Sequence, residues 1–526
     1  MNQKALPHAL HDHAADLVVL GGGLSGCWAA LTAARSGAKV SLFEKGYCGT
    51  SGVAAPAGPG HWWVPPLPGA REDAVAARLS KAKGLGDGQW MHRIIERTWQ
   101  NLPDIGRYYA YEPDDDNRIR LNALRGPEYL NALRRYCLAM GVTIFDHSPV
   151  LSLLRDSTGR VAGAFGAHLQ GTQGLYRARA NAVILASGGC AFQSRLLGAA
   201  NNTGDGHFMA AELGAQFSGM EFSSIFSVVP KNTTMSRSMI YSFARYFDTH
   251  GREIAPDAQG QASLGLAEAL AAGPVYCDLS RVPQDIRAQL PLISPNVMLP
   301  FRRQGIDPFK DRFEIDLVGE GTIRGVGGIK LAGPNCESGL EGLFATGDIA
   351  SREAVTGPIS GGGAVNAAWA LASGCLAAEA ALSTDRRTPR RLDLPGRAKP
   401  KTSAAFSSES HRAIRTGVQR EMLDASRQLS RRASHLKRSL TTLDTLWSQS
   451  APSPADASLQ NLKRDRETQA MLAVARWCTS SALERTESLG MHRRADEPEL
   501  KEPVKPYHVL SGGLNEVRSW REEAFS

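Results

Sequence analysis

Three glycines and one glutamate near the start of the chain have the spacing of a turn that binds phosphate and ribose. Gly21, Gly23 and Gly26 satisfy the pattern G-x-G-x-x-G, and Glu44 follows Gly26 by 18 residues. In such a turn the first glycine allows a tight bend, the second lets the backbone approach a pyrophosphate, and the third lets a helix pack closely on the preceding strand. A carboxylate placed after the second strand accepts the hydroxyls of a ribose. The pattern predicts a dinucleotide site, and Glu44 favours FAD or NAD over NADP.

The elements that must hold this turn follow from the apolar pattern on either side of it. Residues 16–20 form a short apolar run, which is typical of a buried parallel strand. Residues 24–36 are rich in alanine and leucine, which favours a helix, and Gly37 suits the position just after its end. The segment AKVSLFE then predicts a second strand. Together they predict one β-α-β unit of a doubly wound sheet.

Two later apolar runs, VILASGG at 183–189 and LFATGD at 343–348, also predict strands that end in small residues. Asp348, at the end of the second run, is placed to hydrogen-bond a hydroxyl of a ribityl chain. Three separated strand ends that converge on one long ligand suit FAD, because its length spans the whole edge of the sheet. The sequence therefore predicts FAD rather than NAD.

The composition is that of an ordinary globular protein, with 526 residues of which 42% are hydrophobic and 21% charged. This length predicts three or four domains at roughly 150 residues each. We see no apolar run of the roughly 18 to 20 residues that cross a bilayer. The N-terminal segment MNQKALPHALHDHAAD lacks the pattern of a secretory signal. We therefore expect a cytoplasmic protein without membrane insertion.

The eight cysteines are scattered singly, at positions 27, 48, 137, 190, 277, 336, 375 and 478. None belongs to a CxxC or CxxCH motif or to a Cys/His cluster, so we expect no iron–sulfur, haem or other metal site in this chain. Lone cysteines in apolar segments are usually small buried hydrophobic residues, and we expect the same here.

The net charge of +8 is concentrated in one segment. Residues 383–440 contain fifteen Arg or Lys against five Asp or Glu, so the rest of the chain is close to neutral. Such a segment is either a solvated face or a surface that docks an acidic partner or nucleic acid. Residues 411–440 carry no interleaved aromatic side chains, so we expect no nucleic-acid binding.

These elements predict an α/β fold class, with a Rossmann-like FAD-binding domain, an inserted α+β capping domain and a C-terminal helical region. The FAD-binding domain is predicted in two parts, at 1–227 and 321–382. Residues 228–320 have mixed polarity, several prolines and isolated aromatics, and we assign them to the capping domain. A polar linker rich in Pro and Arg is predicted at 383–407, and the helical region at 408–526.

Six motifs resemble the succinate dehydrogenase and fumarate reductase flavoprotein superfamily, which also includes L-aspartate oxidase and the α subunit of adenylylsulfate reductase. They are GGGLSG, ASGG, NNTGDGHFMAAELGAQFSGMEF, GVGGIK, GLFATGD and RTESLGMHRRADEP. The last motif has Leu489 where the family usually has Arg. The resemblance covers about residues 16–498 and implies an FAD-dependent oxidoreductase.

Together with the glycine-rich turn, the resemblance implies which residues contact FAD. They belong to that turn, to the strand ends and to the loops and helix starts that follow them: Gly21, Gly23, Leu24, Ser25, Gly26, Glu44, Lys45, Thr50, Ser51, Gly52, Val150, Ala186, Ser187, Gly188, Asn202, Asp205, Gly347, Asp348, Gly363, Ala364 and Val365. The family position that links flavin covalently through His falls in the loop GYCGTSGVAAPAG, which contains no His. We therefore expect non-covalent FAD.

The departures from the family concern residues that hold or protonate a C4 dicarboxylate. Members that act on such substrates have His at the position of Phe226, after the MEF segment, and another His at the position of Ile323. Their proton-donating Arg before the GPVYCDL-like strand is absent here, and their N-R-L-G element reads ISGGGAV. Each lost charge-assisted contact removes roughly 1.5 to 3 kcal/mol. We therefore expect a small organic substrate other than succinate or fumarate.

Two hypotheses for the function remain. In the first, the chain itself transfers a hydride between flavin N5 and its small-molecule substrate. The second follows from the loop TSGVAAPAG, which looks like the flavin-facing loop of the adenylylsulfate reductase α chain, an enzyme that works with a separate ferredoxin-like protein. There the chain is the flavoprotein subunit of a heteromeric redox enzyme, and residues 383–440 dock an iron–sulfur partner.

Three residues are the candidates for catalysis. His61, in GPGHWWVPP, is one of two things. It is a catalytic base or a hydrogen-bond donor to the substrate, or it is a loop histidine stacked on Trp62 or Trp63. Arg352 either clamps an anionic group, stabilises reduced flavin at N1, or belongs to a surface ion pair. Arg245 either lies in the part of the cap where the family gathers substrate oxygens, or is a cap-core or surface arginine.

Overall fold

The computed structural model describes residues 8–524 except for 114–118, 120, 122–123, 235–238, 256–261, 385–391, 394–407, 451–456 and 498–504. Most of the linker predicted at 383–407 lies outside the described residues. All eight cysteines are described, and each is a buried free thiol, as expected for small hydrophobic side chains.

The strands of the described residues are, in chain order, β1 (Leu10–Ala14), β2 (Leu17–Leu20), β3 (Val40–Phe43), β4 (Thr143–Phe145), β5 (Val150–Arg155), β6 (Val161–His168), β7 (Gly174–Arg179), β8 (Ala182–Leu185), β9 (Phe217–Ser218), β10 (Ile225–Pro230), β11 (Arg245–Phe247), β12 (Tyr276–Asp278), β13 (Phe313–Gly321), β14 (Gly328–Ile329), β15 (Leu343–Ala345), β16 (Tyr507–Gly512) and β17 (Arg518–Glu523).

The α-helices of the same residues are α1 (Leu24–Arg35), α2 (Ala70–Leu79), α3 (Gly88–Asn101), α4 (Gly126–Ala139), α5 (Asp205–Glu212), α6 (Ala262–Ala272), α7 (Gln284–Ile293), α8 (Pro295–Gln304), α9 (Glu353–Thr356), α10 (Gly362–Ser383), α11 (Ser408–Met422), α12 (Ala425–Leu429), α13 (Ala433–Gln449) and α14 (Leu459–Glu484). Short 3-10 helices lie at Leu102–Arg107, Met239–Phe243 and Gly347–Ile349.

A five-stranded parallel sheet in the order β15-β8-β2-β3-β4 is the centre of the FAD-binding domain. Strands β2, β3, β8 and β15 are buried along their whole length, because helices or other strands cover both faces of a parallel sheet. The carboxyl ends of β2, β8 and β15 therefore meet at one edge, as the three apolar runs predicted. This arrangement confirms the Rossmann-like part of the predicted fold class.

The capping region contains its own sheet and its own core. Strands β10, β13, β12 and β11 pair antiparallel in that order, and α6, α7 and α8 lie between β11 and β13 in the chain. Leu266, Cys277, Phe301 and Ile315 are among the buried residues of a separate apolar cluster. This is an α+β unit inserted into the FAD-binding domain, as expected. Its predicted boundaries at 228 and 320 remain predictions.

The C-terminal region is helical up to Glu484, and it also contains a hairpin that the sequence analysis did not predict. Helices α11 and α13 pack on α14. The hairpin of β16 and β17 then joins another four-stranded sheet, in the order β14-β9-β16-β17, in which Leu510 of β16 pairs with Ser218 of β9. The pairing partner lies almost 300 residues earlier in the chain, so no local pattern announces it.

Helix α10 corrects one expectation from the sequence. It is long and apolar enough to cross a membrane, although no such run was expected. Its alanines and glycines are individually only weakly apolar, and the run stands out only when its hydropathy is averaged over a helix. Most of the helix is buried inside the protein. A Cβ added to Gly374 would lie 2.5 Å from the carbonyl O of Ser25, so the small residues allow close packing on α1.

Candidate FAD and substrate site

A cavity of about 540 Å³ opens at the carboxyl ends of β2, β8 and β15. This volume is within the usual range for ligand sites. Seventeen of the residues expected to contact FAD line it: Gly21, Gly23, Leu24, Ser25, Glu44, Lys45, Ser51, Gly52, Val150, Ala186, Ser187, Gly188, Asn202, Asp205, Gly347, Asp348 and Gly363. The folded chain thus brings residues from 21 to 363 to one surface.

The glycine-rich turn has the steric form that a pyrophosphate needs. Gly21 has a φ of +112°, and a Cβ there would lie 2.5 Å from the carbonyl O of Ala186. Gly23 faces open space, with no atom within 4 Å of an added Cβ. Gly23 is also the N-cap of α1 and provides no side-chain hydrogen bond. The first N–H groups of α1 are therefore available to phosphate oxygens at the cavity.

Glu44 is held in place to receive a ribose. Its Oε2 accepts a hydrogen bond from the backbone N–H of Gly22 at 2.6 Å, and its Oε1 accepts one from Gly46 at 2.6 Å. Each carboxylate oxygen has a further lone pair. The two backbone bonds orient the carboxylate, and the remaining lone pairs can accept the ribose hydroxyls.

Several buried polar atoms of the cavity wall have no hydrogen-bond partner among the described residues. They are Ser187 Oγ, Asn202 Oδ1, and both Nδ2 and Oδ1 of Asn366. Buried polar groups are normally paired, so these atoms fit a polar ligand. The wall therefore suits the ribityl, phosphate and ring polar groups of FAD.

Sequence reasoning missed Asn366, although it named the three residues from Gly363 to Val365. Gly363, Asn366, Ala367 and Ala370 line the cavity. Their spacing of three, four and seven residues is one face of a helix, and this signal was available in the sequence. Adjacent residues of a helix point about 100° apart. For this reason Ala364 is exposed and Val365 packs into the main core instead of lining the cavity.

Two more expected contacts lie away from the cavity wall. Thr50 is exposed, and its hydroxyl donates to the carbonyl O of Tyr47 at 3.3 Å. Gly26 lies beneath the turn, where an added Cβ would be 1.8 Å from the carbonyl O of Gly21. Gly26 therefore supports the site through helix packing, which is the role that the third glycine of the pattern has.

At the end of the cavity near Glu44, Lys45 links three elements. Its Nζ lies 2.6 Å from Asp205 Oδ2, 2.8 Å from Glu467 Oε1 and 2.7 Å from Thr203 Oγ1. Burial alone would lower the pKa of Lys45, but the two carboxylates raise it above its ordinary value. Because Glu467 belongs to α14, the C-terminal region supports this wall through Lys45.

The structure places Arg352 behind Asp348 and not in the cavity wall. The Arg352 side chain is only 1% exposed and forms an ion pair with Asp348, which does line the cavity. The Nε atom of Arg352 has no partner among the described residues. The sequence analysis considered a surface ion pair for Arg352, but the ion pair is buried. It orients the Asp348 carboxylate toward the cavity.

His61 is buried beside the flavin-facing loop but does not line the cavity. Its Nε2 lies 3.2 Å from the hydroxyl of Tyr129, which also accepts a hydrogen bond of 2.8 Å from Trp28 Nε1. Burial lowers the pKa of His61 to about 3, so the ring is neutral at pH 7. Its aromatic neighbour is Tyr129, edge-on at 5.5 Å, rather than either neighbouring tryptophan. A catalytic role for His61 stays a prediction, and this placement weakens it.

Arg245 lies on β11 of the cap and is engaged by acidic neighbours. It forms ion pairs with Asp278 at 2.9 Å and with Glu253 at 3.7 Å, and its guanidinium stacks over Phe247. It is not among the residues that line the cavity. The structure therefore does not bring Arg245 together with His61 or Arg352, and it favours the alternative of a structural cap arginine.

Arg324 is a cavity residue that the sequence analysis did not select. It has a left-handed φ of +54° and lines the cavity together with Ser242. Its Nε donates to Glu320 Oε2 at 2.8 Å, and its Nη2 donates to Ser227 Oγ at 2.8 Å and to Glu320 Oε1. Burial opposes its charge, but Glu320 raises the pKa of Arg324 overall. The sequence did offer a signal for Arg324, because it directly follows Ile323, the position at which the family has His.

A network of buried charges lies on the other side of the segment that carries Arg352. Arg485 Nε is 2.8 Å from Glu221 Oε1, and its Nη1 is 2.6 Å from Glu487 Oε1. Glu353, the neighbour of Arg352, lies 3.2 Å from His508 Nδ1 of β16. Burial raises the pKa of Glu221 to about 7, with a contribution from the nearby charge of Glu353.

The described residues contain no group of three or more His, Cys, Asp or Glu side chains that could hold a metal ion. The polar atoms of the cavity instead match an organic ligand with phosphate and hydroxyl groups.

Comparisons with known proteins agree with this geometry. A family model for the FAD binding domain matches residues 16–110 and 114–235, and a model for the fumarate reductase flavoprotein C-terminus matches residues 418–516. Together the two models match more than half of the chain. The second model covers both the RTESLGMHRRADEP motif and strand β16 after it.

Among curated proteins, the chain is 24% identical to one of the subunits of the fumarate reductase (CoM/CoB) of Methanothermobacter marburgensis, over 94% of this chain and 97% of that protein. It is 26% identical to the L-aspartate oxidase of Mycobacterium tuberculosis, over 92% and 93%.

Solved structures show the same fold. A variant of the quinol fumarate reductase flavoprotein of E. coli has a TM-score of 0.80 at 21% identity and covers 98% of both chains. The adenylylsulfate reductase of Archaeoglobus fulgidus has a TM-score of 0.75 at 17% identity, over 98% of this chain and 96% of that chain. On the evidence of the two family models and the curated relatives, the chain belongs to the succinate dehydrogenase and fumarate reductase flavoprotein superfamily and is an FAD-dependent oxidoreductase.

Proposed function

We propose that this protein transfers a hydride between flavin N5 and a small organic substrate other than succinate or fumarate. Bound FAD supplies the redox chemistry, and the chain supplies binding, orientation and electrostatics. The residues that would hold FAD are those of the cavity wall, with Glu44 at the ribose and the start of α1 at the pyrophosphate. The capping region would cover the substrate and exclude water during transfer.

The observation that carries this proposal is the apolar character of two positions that in other family members clamp a dicarboxylate. Phe226 and Ile323 stand where family members that act on C4 dicarboxylates have His, and both are buried in apolar clusters. Neither can donate a hydrogen bond to a carboxylate. Arg324 and Ser242 provide the polar groups on the cap side of the cavity.

We also propose that FAD is bound non-covalently. The described residues that line the cavity include no His, Cys or Tyr, and these are the side chains with a nucleophilic ring, thiol or phenol. Acid precipitation should release the yellow flavin into the supernatant. Flavin that stays with the precipitated protein after washing would contradict the proposal.

An anaerobic experiment tests the reaction itself. The purified yellow protein is reduced with dithionite, excess reductant is removed, and candidate acceptors are added while the oxidised flavin band is followed. Reoxidation by a small unsaturated acid other than fumarate, by an imine or by an adenylated anion would establish a self-sufficient oxidoreductase and identify its substrate class. Fumarate serves as the comparison acceptor, and rapid reoxidation by fumarate would contradict the proposal.

A second function is supported by the relatives and by one surface. The methanogen relative is by its name part of a larger enzyme, so this chain too would exchange electrons with an iron–sulfur partner. Exposed cations on α11, α13 and the turn before α13 would form the docking surface: Arg412, Arg415, Arg432, Lys437 and Arg438. Such a face attracts an acidic partner, and the attraction weakens as salt rises.

Electron exchange with a ferredoxin tests this second function. Replacing Lys437 and Arg438 by Glu should slow reoxidation of the reduced flavin by an acidic ferredoxin several-fold at low ionic strength. Replacing the exposed cap residue Arg281 by Glu should have little effect. Equal rates in all three proteins would exclude this face as the docking surface.

A further inference from the structure

The guanidinium of Arg324 has one nitrogen left for a ligand. Its Nε and Nη2 are used by Glu320 and Ser227, whereas Nη1 makes no hydrogen bond to a described residue. The side chain is 25% exposed, and the residue lines the cavity. We propose that Arg324 Nη1 anchors an anionic oxygen of the substrate, and that the substrate carries a single negative charge, as a monocarboxylate does. This inference rests on the proposed function and names its substrate class.

The backbone of the turn holds Arg324 in this position at a conformational cost. A residue other than glycine in the left-handed region is strained, and such residues concentrate at functional sites. The backbone N–H of Arg324 also points toward Asp348 Oδ2, at 3.4 Å. The turn therefore connects the substrate anchor to the carboxylate expected to bind the ribityl chain.

Glu320 and Ser227 fix the direction of the guanidinium. The Glu320 side chain is 0% exposed and binds two nitrogens of Arg324 in a fork, and Ser227 donates to Glu320 and accepts from Arg324. A planar, bidentate pair of this kind leaves little rotational freedom. The third nitrogen is thus pre-oriented before any ligand binds, which reduces the entropy lost on binding.

The charge balance of the site selects a monoanion. Glu320 is paired with Arg324, so the guanidinium offers a directed hydrogen bond with a partly compensated charge. Ser242, which also lines the cavity, is neutral, and Phe226 and Ile323, the chain neighbours of Ser227 and Arg324, are apolar and buried. The second carboxylate of a dianion would find no cationic partner among the described residues there, and an unpaired charge in an enclosed site is costly.

The other described cationic side chains at or next to the cavity wall already have ion-pair partners. Lys45 forms ion pairs with Asp205 and Glu467 near Glu44. Arg352, which does not line the cavity, is paired with Asp348. Arg324 follows β13 of the cap sheet and lines the same cavity as the cap residue Ser242, which puts it on the side of the capping region. It is therefore the described cation best placed to meet a substrate held beneath the cap.

Binding of small carboxylates to the oxidised, FAD-loaded protein tests this inference without turnover. Acetate, malonate and the neutral analogue acetamide are titrated separately, and the flavin absorbance difference gives each dissociation constant. Acetate should give a saturable signal, malonate should bind roughly tenfold more weakly, and acetamide should give none at the same concentrations. The variant Arg324→Met should raise the acetate dissociation constant by about tenfold or more, which corresponds to about 1.4 kcal/mol.

Two further variants complete the test. Arg281→Met, at an exposed cap position, should leave the acetate dissociation constant unchanged. Arg324→Lys keeps the charge and loses the planar fork, so it should bind acetate more weakly than the wild type but more tightly than Arg324→Met. If Arg324→Met does not retain FAD, Arg324→Lys is compared with the wild type in its place. The acetate dissociation constant of Arg324→Lys should again be higher than that of the wild type.

Three results would overturn the inference. They are the absence of any acetate signal in the wild type, an unchanged acetate dissociation constant in the Arg324 variants, and tighter binding of malonate than of acetate. If the variants change the absorbance or retention of FAD without changing acetate binding, Arg324 contacts the flavin instead. Since none of these readouts requires turnover, a protein that binds acetate through Arg324 but is never reoxidised by a small molecule would refute only the proposed function.

Discussion

The two ends of the cavity position their functional groups by different physical means. At the glycine-rich turn, close packing of backbone on backbone decides the geometry, as the 1.8 Å approach of a Gly26 Cβ to the Gly21 carbonyl shows. On the cap side, charged side chains are held by other buried charges, as Glu320 holds Arg324. The glycine-rich turn itself, as distinct from the Lys45 ion pairs near Glu44, should be sensitive to added atoms and insensitive to pH. The second end, together with the ionic network around Arg485, should respond to the loss or protonation of a single partner.

This difference explains which end resembles the family. Backbone packing around a cofactor allows few residue types, so the glycine-rich turn retains the family pattern. A pair such as Arg324 and Glu320 can be exchanged as a unit, because one partner compensates the charge of the other.

The largest effect should follow from a single methyl group at the steric end. Gly26→Ala places a Cβ 1.8 Å from a backbone carbonyl that has no room to move. We expect the purified variant to contain less than about a tenth of the wild-type FAD, measured as the ratio of flavin to protein absorbance. Gly273→Ala, where nothing lies within 4 Å of the new Cβ, is the matched control and should retain full FAD.

The next largest effect should come from the ionic network. Arg485→Met leaves Glu221 and Glu487 without their guanidinium, and the Glu221 side chain is 0% exposed. Removing one partner of a buried ion pair costs about 3 to 5 kcal/mol, so the free energy of unfolding in urea should fall by that amount. Arg518→Met, whose pair with Glu516 is exposed, should leave it unchanged. Equal stability of the two variants would show that the network contributes nothing specific.

A smaller, pH-dependent effect is expected from the contact between His508 and Glu353. Burial alone would lower the pKa of His508, but Glu353 raises it overall. The pKa of Glu353 is lowered despite burial, chiefly by His508. The stability from His508 is present below its ordinary pKa of about 6.5 and is lost as pH rises through the raised value. The stability from Glu353 is present above its ordinary pKa of about 4.5 and is lost as pH falls through its lowered pKa.

Replacing His508 by Gln should therefore reduce stability by roughly 1 kcal/mol near pH 6 and by less at pH 9. Unfolding curves in urea at both pH values measure this difference. His250→Gln, on an exposed loop, is the control. A His508 variant with the same loss at both pH values would mean that the side chain acts through packing and not through its charge.

The smallest effect is expected at Thr50, which the sequence analysis assigned to FAD but which does not line the cavity. Thr50 is exposed and bonds only its local backbone, so Thr50→Ala should change FAD retention by less than about twofold. Ser51→Ala, at a neighbouring position that does line the cavity, should weaken retention more. Equal losses would restore Thr50 as a cofactor contact.

The fold could be predicted to the extent that its signals are local. The apolar runs at 16–20, 183–189 and 343–348 identified three parallel strands, because a strand buried on both faces is apolar throughout. The hairpin of β16 and β17 was missed, since its partner β9 is distant in the chain. The mean hydropathy of helix α10 was underestimated because each of its alanines is only weakly apolar.

The amino-acid sequence by itself determined the cofactor. The glycine spacing, Glu44 and Asp348 each act through a short stretch of chain, and the order of strands brings those stretches to one edge of the sheet. The tertiary structure decided which charged side chains reach the cavity. It buried His61 against Tyr129, paired Arg245 within the cap, placed Arg352 behind Asp348 and brought Arg324 into the wall. Charges act through space on whatever partners the fold supplies, so their roles cannot be read from spacing along the chain.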